Sequence, residues 1–153
     1  MINDLIYLLL SCFLSTTLSA QVQVYVDDKI DDENIITLRI DDEMPFPDIK
    51  VLLARDIPFE DFTVGITPYR TQANFIITRS AQAAGRIVKV DNCDNFPDFQ
   101  ILVNDDEAFP DVRIEFRDNS SFVDFLIYSE KTTVSEQEII ACLLPLIREK
   151  AGK

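Results

Sequence analysis

The amino-acid sequence predicts a mainly β protein built from tandem strand-turn repeats of about thirteen residues, about nine short strands in all, with one C-terminal amphipathic helix. A Phe-x-Asp triplet recurs at intervals of 13 residues within two clusters. Apolar residues alternate after each triplet, as in a strand with one face inward, and the apolar period becomes helical near the C-terminus. With 153 residues, 47% of them hydrophobic, the chain is long enough to bury a core in one domain.

The repeat is defined by the position of the triplet aspartate. The five triplets are Phe46-Pro47-Asp48, Phe59-Glu60-Asp61, Phe96-Pro97-Asp98, Phe109-Pro110-Asp111 and Phe122-Val123-Asp124. The 37-residue interval between the clusters divides into 13, 11 and 13 at Asn74 and Gly85, and 14 residues before the first aspartate lies Asn34. We therefore expect the same repeat to run through regions where the triplet is absent.

Strands are predicted after each of these positions and at the start of the repeat region. Their ranges are 22–26, 35–40, 49–53, 62–66, 75–79, 86–90, 99–103, 112–116 and 125–128. Several outward positions are apolar as well, namely Leu52, Ile76, Leu102 and Leu126. We expect part of the sheet to be covered on both faces.

The triplets predict tight turns between the strands. An aspartate side chain accepts a hydrogen bond from a backbone N–H two residues on, and proline fixes φ and ends a strand. The recurring phenylalanine is predicted to stack on its neighbours as an internal ladder. Because one repeat alone buries too little surface, the stacking of repeats would supply the core. The 11-residue interval after Asn74 predicts a crossing or a corner.

Residues 130–153 predict a helix packed on the repeat domain. A capping box begins at Thr133 or Ser135, with a glutamate three residues later. One helical face carries Ile139, Ile140, Leu143, Leu144 and Ile147. Pro145 is expected to kink this helix or end it early. A membrane-surface helix is the rival interpretation, but the polar side mixes acids and bases and lacks a basic face.

Residues 1–20 predict a cleaved signal peptide ahead of a repeat domain at residues 21–129. An apolar stretch ends in Leu18-Ser19-Ala20, whose small residues suit a cleavage site before Gln21. The stretch is too short to span a membrane, which needs roughly 20 apolar residues. A lipoprotein anchor at Cys12 fits poorly because Leu10 stands where a small residue is expected. We expect export to the periplasm or the extracellular space, without a stable membrane anchor.

The composition disfavours several classes of function. The chain has 14 Lys+Arg, 27 Asp+Glu and a net charge of −13, which repels nucleic acids and anionic lipids but permits a basic protein partner. It contains no histidine, the commonest general base and zinc ligand. Aspartates at equivalent repeat positions should have similar surroundings, whereas a pair of catalytic carboxylates needs different ones. We therefore expect no enzyme, no catalytic residues and no cofactor.

Two sets of side chains remain as candidate sites. The aspartates Asp48, Asp61, Asp98, Asp111 and Asp124 could cap turns or hold calcium between adjacent turns, and turn capping is the favoured interpretation. Cys93 and Cys142 could form a disulfide in an oxidising compartment or remain thiols, and the sequence favours neither.

The repeat resembles the septoil-knot family, whose units read roughly aromatic, Ala, Asp and then an alternating strand. The segments that carry the resemblance are Gln72-Ala73-Asn74 before residues 75–77, and Ser121-Phe122-Val123-Asp124 before residues 125–128. The chain departs from the pattern by placing Pro, Glu or Val where the family favours Ala, by its extra strands and by its C-terminal helix. The resemblance implies a knotted β-repeat fold over residues 22–129 and, since the family has no established activity, implies no function.

These observations lead to an expected function. The chain is predicted to be a non-catalytic exported module with a structural or protein-binding role. The alternatives are a periplasmic inhibitor or immunity-type protein that covers a basic partner, and a repeat protein stabilised by calcium.

Overall fold

A computed structural model describes residues 21–30, 35–118 and 121–153. Its strands are β1 Val22–Asp27, β2 Ile36–Asp41, β3 Ile49–Ala54, β4 Phe62–Ile66, β5 Phe75–Ile77, β6 Arg86–Val90, β7 Phe99–Asn104, β8 Val112–Arg117 and β9 Phe125–Ser129, followed by the helix α1 Glu136–Ala151. All nine predicted strands and the helix are confirmed, and with them the fold class. The predicted signal peptide at residues 1–20 and the repeat position at Asn34 lie outside the described residues.

The nine strands form a closed, all-parallel barrel. Their order around it is β1-β5-β9-β4-β8-β3-β7-β2-β6, so strands that follow one another in the chain are separated by one other strand. In eight of the nine neighbouring pairs, the first residue of one strand lies opposite the third residue of the next. In a closed barrel this offset between neighbours means that the strands are tilted relative to the barrel axis.

In the described part of the chain, the connections between consecutive strands cross the strand that lies between them, on the outside of the barrel. In the connection from β3 to β4, Glu60 pairs with Arg117 of the crossed strand β8 at 3.6 Å. In the connection from β8 to β9, Val123 covers Gly65 of β4, where an added Cβ would lie 3.5 Å from its side chain. The connection from β2 to β3 crosses β7 and explains the burial of its outward residue Leu102, which is 7% exposed. Ile76, the outward residue of β5, is 1% exposed although the strand order places no connection over β5. The predicted coverage of both sheet faces is confirmed at these positions.

The helix α1 runs through the barrel. It contacts β1 and β8, which stand on opposite walls. Near its start, Glu138 pairs with Lys131, which also reaches the carbonyl of Val26 at the end of β1. Near its end, the Arg148 guanidinium lies 4.4 Å from the ring centre of Phe99, the first residue of β7. The helix therefore runs from the end of the barrel where strands finish to the end where they begin.

The position of α1 differs from the predicted cap on one face of the sheet. Residues 138–144 are all buried, so this stretch has no solvent face, and Ala141 and Cys142 are as enclosed as Ile140. This burial was not predictable from the sequence, because alanine and cysteine do not mark an apolar stripe. Helix and inward strand residues share one hydrophobic cluster. No helix among the described residues is long and apolar enough to cross a membrane.

The ends of α1 follow capping rules, but its interior does not follow the proline rule. Of the two predicted capping boxes, the structure has the one formed by Ser135 and Glu138. Gly152 ends the helix in a left-handed conformation, with φ 71°. Pro145 does not end the helix early, because α1 continues to Ala151. Ile147, fully buried two residues beyond the proline, packs the second half of the helix against the barrel.

Candidate functional site

The motif aspartates join neighbouring strands. In the clearest case, the Asp111 N–H donates to the carbonyl of Lys50 on β3 at 2.8 Å, and the Asp111 carboxylate accepts from the N–H of the same Lys50 at 2.8 Å. One aspartate thus satisfies both backbone groups of one residue across the sheet. Because the acceptor is charged, the second hydrogen bond is of the stronger kind.

The same pair of hydrogen bonds recurs at all five motif aspartates and at Asn74. The pairs are Asp48 with Gln100, Asp61 with Arg113, Asp98 with Thr37, Asp111 with Lys50, Asp124 with Thr63 and Asn74 with Leu126, with side-chain distances of 2.7–2.9 Å. Gly85 makes only the backbone half, by donating to the Gln23 carbonyl at 2.9 Å. We call the set of five aspartates the aspartate stair, since they stand one after another at the starts of the adjacent strands β9, β4, β8, β3 and β7.

The stair replaces the predicted turn caps. The motif aspartates were expected to accept from N–H groups two residues on, but their partners lie 52 or 61 residues away. Other acids cap the turns: Asp94 accepts from the N–H of Phe96 at 2.9 Å and Glu107 from the N–H of Phe109 at 3.2 Å. The interpretation failed because a local rule cannot foresee a partner supplied by a distant parallel strand.

The stair gives little support to calcium binding. Each stair carboxylate faces a backbone N–H, and no three acidic, cysteine or histidine side chains in the described part of the chain come together as a metal site. A hard cation prefers six or more oxygen ligands. The calcium hypothesis therefore stays a prediction without a site.

The motif phenylalanines lie on the surface. Their exposed fractions are 86% for Phe46, 88% for Phe59, 92% for Phe96, 83% for Phe109 and 93% for Phe122. The predicted internal ladder of these rings was wrong. The aromatic contacts of the core use the first residues of strands instead, with the ring of Phe125 5.9 Å from those of Phe62 and Phe75.

The five exposed rings lie on five adjacent strands of the barrel. Each belongs to a connection and stands two residues before the stair position, above the strand that the connection crosses. In barrel order, Phe122 lies over β4, Phe59 over β8, Phe109 over β3, Phe46 over β7 and Phe96 over β2. With strands about 4.8 Å apart and an offset of two residues, or about 6.6 Å, neighbouring positions are roughly 8 Å apart. We call this set the phenylalanine row.

Two of the five rings are held by a backbone conformation that disfavours them. Phe59 has φ 60° and Phe122 has φ 61°, in the left-handed region where glycine and asparagine are at ease. For other residues this region costs about 1–2 kcal/mol. An exposed ring returns none of that free energy through burial, so folding does not account for phenylalanine at these positions.

The connections that carry the row also carry most of the negative charge of the chain. They comprise residues 42–48, 55–61, 91–98, 105–111 and 118–124, and they contain 15 of the 27 acids and only one of the 14 bases. Asp42, Asp56, Asp105 and Asp106 make no hydrogen bond or ion pair within the described part of the chain. The rings therefore stand on a strongly acidic surface with carboxylates available to a partner.

Two clefts open at the end of the barrel where the strands finish. One, of about 470 Å³, is lined by polar groups, including Tyr25, Asp27 and Lys131. The Tyr25 hydroxyl donates to the Asp27 carboxylate at 2.5 Å, which raises the pKa of Tyr25 and lowers the pKa of Asp27. The other, of about 570 Å³, lies between Phe116 and Ile139. This hydrogen bond in the polar cleft stabilises the charged form of Asp27 and the protonated form of Tyr25.

The two cysteines are free thiols in this structure. Cys93 is exposed in the connection between β6 and β7, whereas Cys142 is buried in α1. Burial raises the pKa of the Cys142 thiol to about 12. Since the thiolate is the reactive form, Cys142 is protected from oxidation and from pairing while the chain is folded.

No protein-family model, no curated protein and no solved structure matches this chain. Function must therefore be argued from its own surface. Sequence reasoning identified the aspartates and the acidic surface but gave the phenylalanines the wrong role. The signal was their fixed place beside a turn, three residues before the strand begins, which puts them outside the inward alternation of the strand residues.

Proposed function

We propose that the chain is a non-catalytic exported module that binds a protein partner through the phenylalanine row. The observation that carries the proposal is the exposure of all five motif rings, between 83% and 93%, on consecutive strands of the barrel. Exposed apolar groups that occur singly need no explanation, but an ordered set of them on one face is typical of an interaction surface. Aromatic residues are also enriched where proteins bind one another.

The chemistry of the described side chains supports a role in binding rather than catalysis. The motif aspartates are engaged with backbone N–H groups, as in the pairs of Asp61 with Arg113 and Asp124 with Thr63. Carboxylates occupied in this way are not poised as an acid and a base with separate pKa values. The one thiol whose pKa is strongly raised, Cys142, is enclosed in the barrel.

The charge of the row favours a second candidate within the same class, an inhibitor or immunity-type protein that covers a basic partner. Fifteen acids on the row connections favour a partner of opposite sign and would speed its association. The number of partners distinguishes the two candidates: an inhibitor has one tight partner, whereas a general protein-binding module is not restricted to one.

The relationship to the septoil-knot family also stands as a proposal. Support comes from the parallel strands that recur every thirteen residues and from connections that each pass over one strand. Membership would bring no activity with it, so the functional proposal rests on the surface.

The test compares two forms of the chain in a pull-down from an envelope extract. One is the chain as recovered from cells, and the other has Phe46, Phe59, Phe96, Phe109 and Phe122 all replaced by serine. We expect a partner that the first retains and the second loses, although both fold. One stoichiometric basic protein would favour the inhibitor. Equal retention by both forms would refute the role of the row.

Export is tested separately by fractionation and N-terminal sequencing. The proposal expects the chain in the periplasm or medium, beginning at Gln21. A chain that stays in the cytoplasm with its first residues intact would contradict export without touching the binding proposal.

A further inference from the structure

The side chains of the phenylalanine row and of its connections indicate what kind of partner fits this surface. Each ring stands beside carboxylates of its own connection, such as Asp105, Asp106 and Glu107 before Phe109. Glu107 caps the turn that presents this ring and accepts from Lys50 at 3.4 Å, which leaves the two aspartates to face solvent. A partner on this surface meets ring faces and carboxylates together.

Four occupants are disfavoured by this combination. A second copy of the chain would bring a second acidic surface against the first, and like charges at an interface cost several kcal/mol. Anionic membranes and nucleic acids are repelled for the same reason. A neutral apolar segment would suit the rings, but it would desolvate the carboxylates without giving them a partner.

A cationic side chain suits both parts of the surface. Guanidinium and ammonium groups are attracted to the face of an aromatic ring, and their methylene stems pack against apolar surface. The barrel already has two such contacts, with Arg55 5.5 Å from the ring centre of Phe116 and Arg148 4.4 Å from that of Phe99. Arginine is the better candidate because its planar group stacks on a ring and also binds a carboxylate through two hydrogen bonds.

The dimensions of the row indicate the form of the segment. At the strands that the connections cross, neighbouring positions are roughly 8 Å apart, and side chains on one face of an extended strand are roughly 7 Å apart. Four such intervals follow the curved wall for roughly 30 Å, the reach of nine or ten extended residues. An extended segment with a cation at every second residue would bring one cation near each ring.

We propose that the phenylalanine row binds an extended, arginine-rich polypeptide segment, an inference that rests on the proposed function. Its arginine side chains stack on the five exposed rings, and their guanidinium groups pair with carboxylates of the same connections. The rings give the surface its selectivity, and the acidic connections give it fast, salt-sensitive association.

The test uses a labelled ten-residue peptide of five Arg-Ser repeats, and fluorescence anisotropy in about 0.15 M salt, where exposed charges are partly screened. We expect saturable binding, weaker binding of the Lys-Ser counterpart, and a loss of about tenfold or more for the fivefold Phe→Ser variant. That variant retains every carboxylate. Equal affinity for wild type and variant would mean simple charge attraction and would overturn the proposal.

Matched gain-of-ring variants sharpen the test. Gln72 and Ala83 occupy the position of the ring in two other connections and are exposed. Gln72 lies over β9, beside the end of the row at Phe122, whereas Ala83 lies over β1, apart from the row. Gln72→Phe should strengthen peptide binding and Ala83→Phe should leave it unchanged. The same gain from both variants would contradict a continuous row.

Separate measurements test whether a second copy of the chain or a membrane binds the row instead. Sedimentation of the free chain should give a monomer, and neutral phosphatidylcholine vesicles should not bind it; a dimer or vesicle binding that depends on the rings would overturn the assignment. If the pull-down yields a ring-dependent partner but the arginine peptide does not bind, only this inference fails. If the pull-down shows no dependence on the rings, the proposed function fails as well.

Discussion

Removing one step of the aspartate stair should destabilise the barrel by an amount that the structure allows us to estimate. The Asp124 carboxylate accepts from the backbone N–H of Thr63 at 2.7 Å and from its hydroxyl at 2.9 Å. Thr63 is only 5% exposed. Losing the acceptor for a buried donor costs about 1–3 kcal/mol, and since water can approach Asp124 we expect about 2 kcal/mol for Asp124→Ala.

Asp124→Asn separates the hydrogen bond from the charge. Asn74 occupies the equivalent position, and its side-chain oxygen accepts from the Leu126 N–H at 2.7 Å. An amide therefore fits the step, and Asp124→Asn should cost less than about 1 kcal/mol. Asp118→Ala is the matched control, because it removes an exposed ion pair with Arg55 from the same connection and should cost less than about 0.5 kcal/mol.

The assay is equilibrium unfolding in urea, approached from the folded and the unfolded side, with circular dichroism as the readout. For a chain of this length, the expected loss for Asp124→Ala lowers Tm by about 4–8 °C. Equal stability of Asp124→Ala and Asp118→Ala would refute the stair as a source of stability. An effect of Asp124→Asn as large as that of Asp124→Ala would show that charge, not acceptor geometry, matters.

Further predictions concern an empty step, an acid with a lowered pKa and the two thiols. Gly85→Asp should add the missing acceptor for the N–H of Gln23 and raise stability by about 1 kcal/mol, with Gly85→Ala measuring the backbone contribution alone. The pKa of Glu130 lies below its ordinary 4.5 because of hydrogen bonds from a backbone N–H and an arginine, so its contribution is complete above that value and is lost as pH falls through the lowered pKa. Unfolding in urea from about pH 6 to about pH 3 should show a shallower acid loss in Glu130→Gln. A thiol reagent should label Cys93 in the folded chain and reach Cys142 only after unfolding, whereas protection of both until reduction would show a disulfide.

The strands were predictable because their signal is local. Alternation of apolar residues such as Ile49, Val51 and Leu53 sets which face turns inward, and all three are buried. The order of strands was not predictable, because each strand pairs with others 52 to 62 residues away and every parallel register offers similar apolar residues. The same distance hid the partners of the aspartates.

The position of the helix and the exposure of the motif phenylalanines follow from the closure of the barrel, which the sequence does not show. A lone helix with an apolar stripe predicts docking on one face of a sheet. A closed barrel of nine strands instead has an interior, which α1 occupies with strand residues packed on several of its sides. The rings of Phe46 and its equivalents were assigned inward because phenylalanine is usually buried. Once connections cross outside the barrel, the residue two before the stair position faces solvent.

Equilibrium unfolding of the fivefold Phe→Ser variant tests most directly the claim that these rings serve binding and not folding. Because all five rings are more than 80% exposed, and two lie at positive φ, the variant should be as stable as wild type within about 1 kcal/mol. Rings that belonged to the core would cost about 3–5 kcal/mol each when truncated. A loss of several kcal/mol would contradict the account, because the row would then be part of the core.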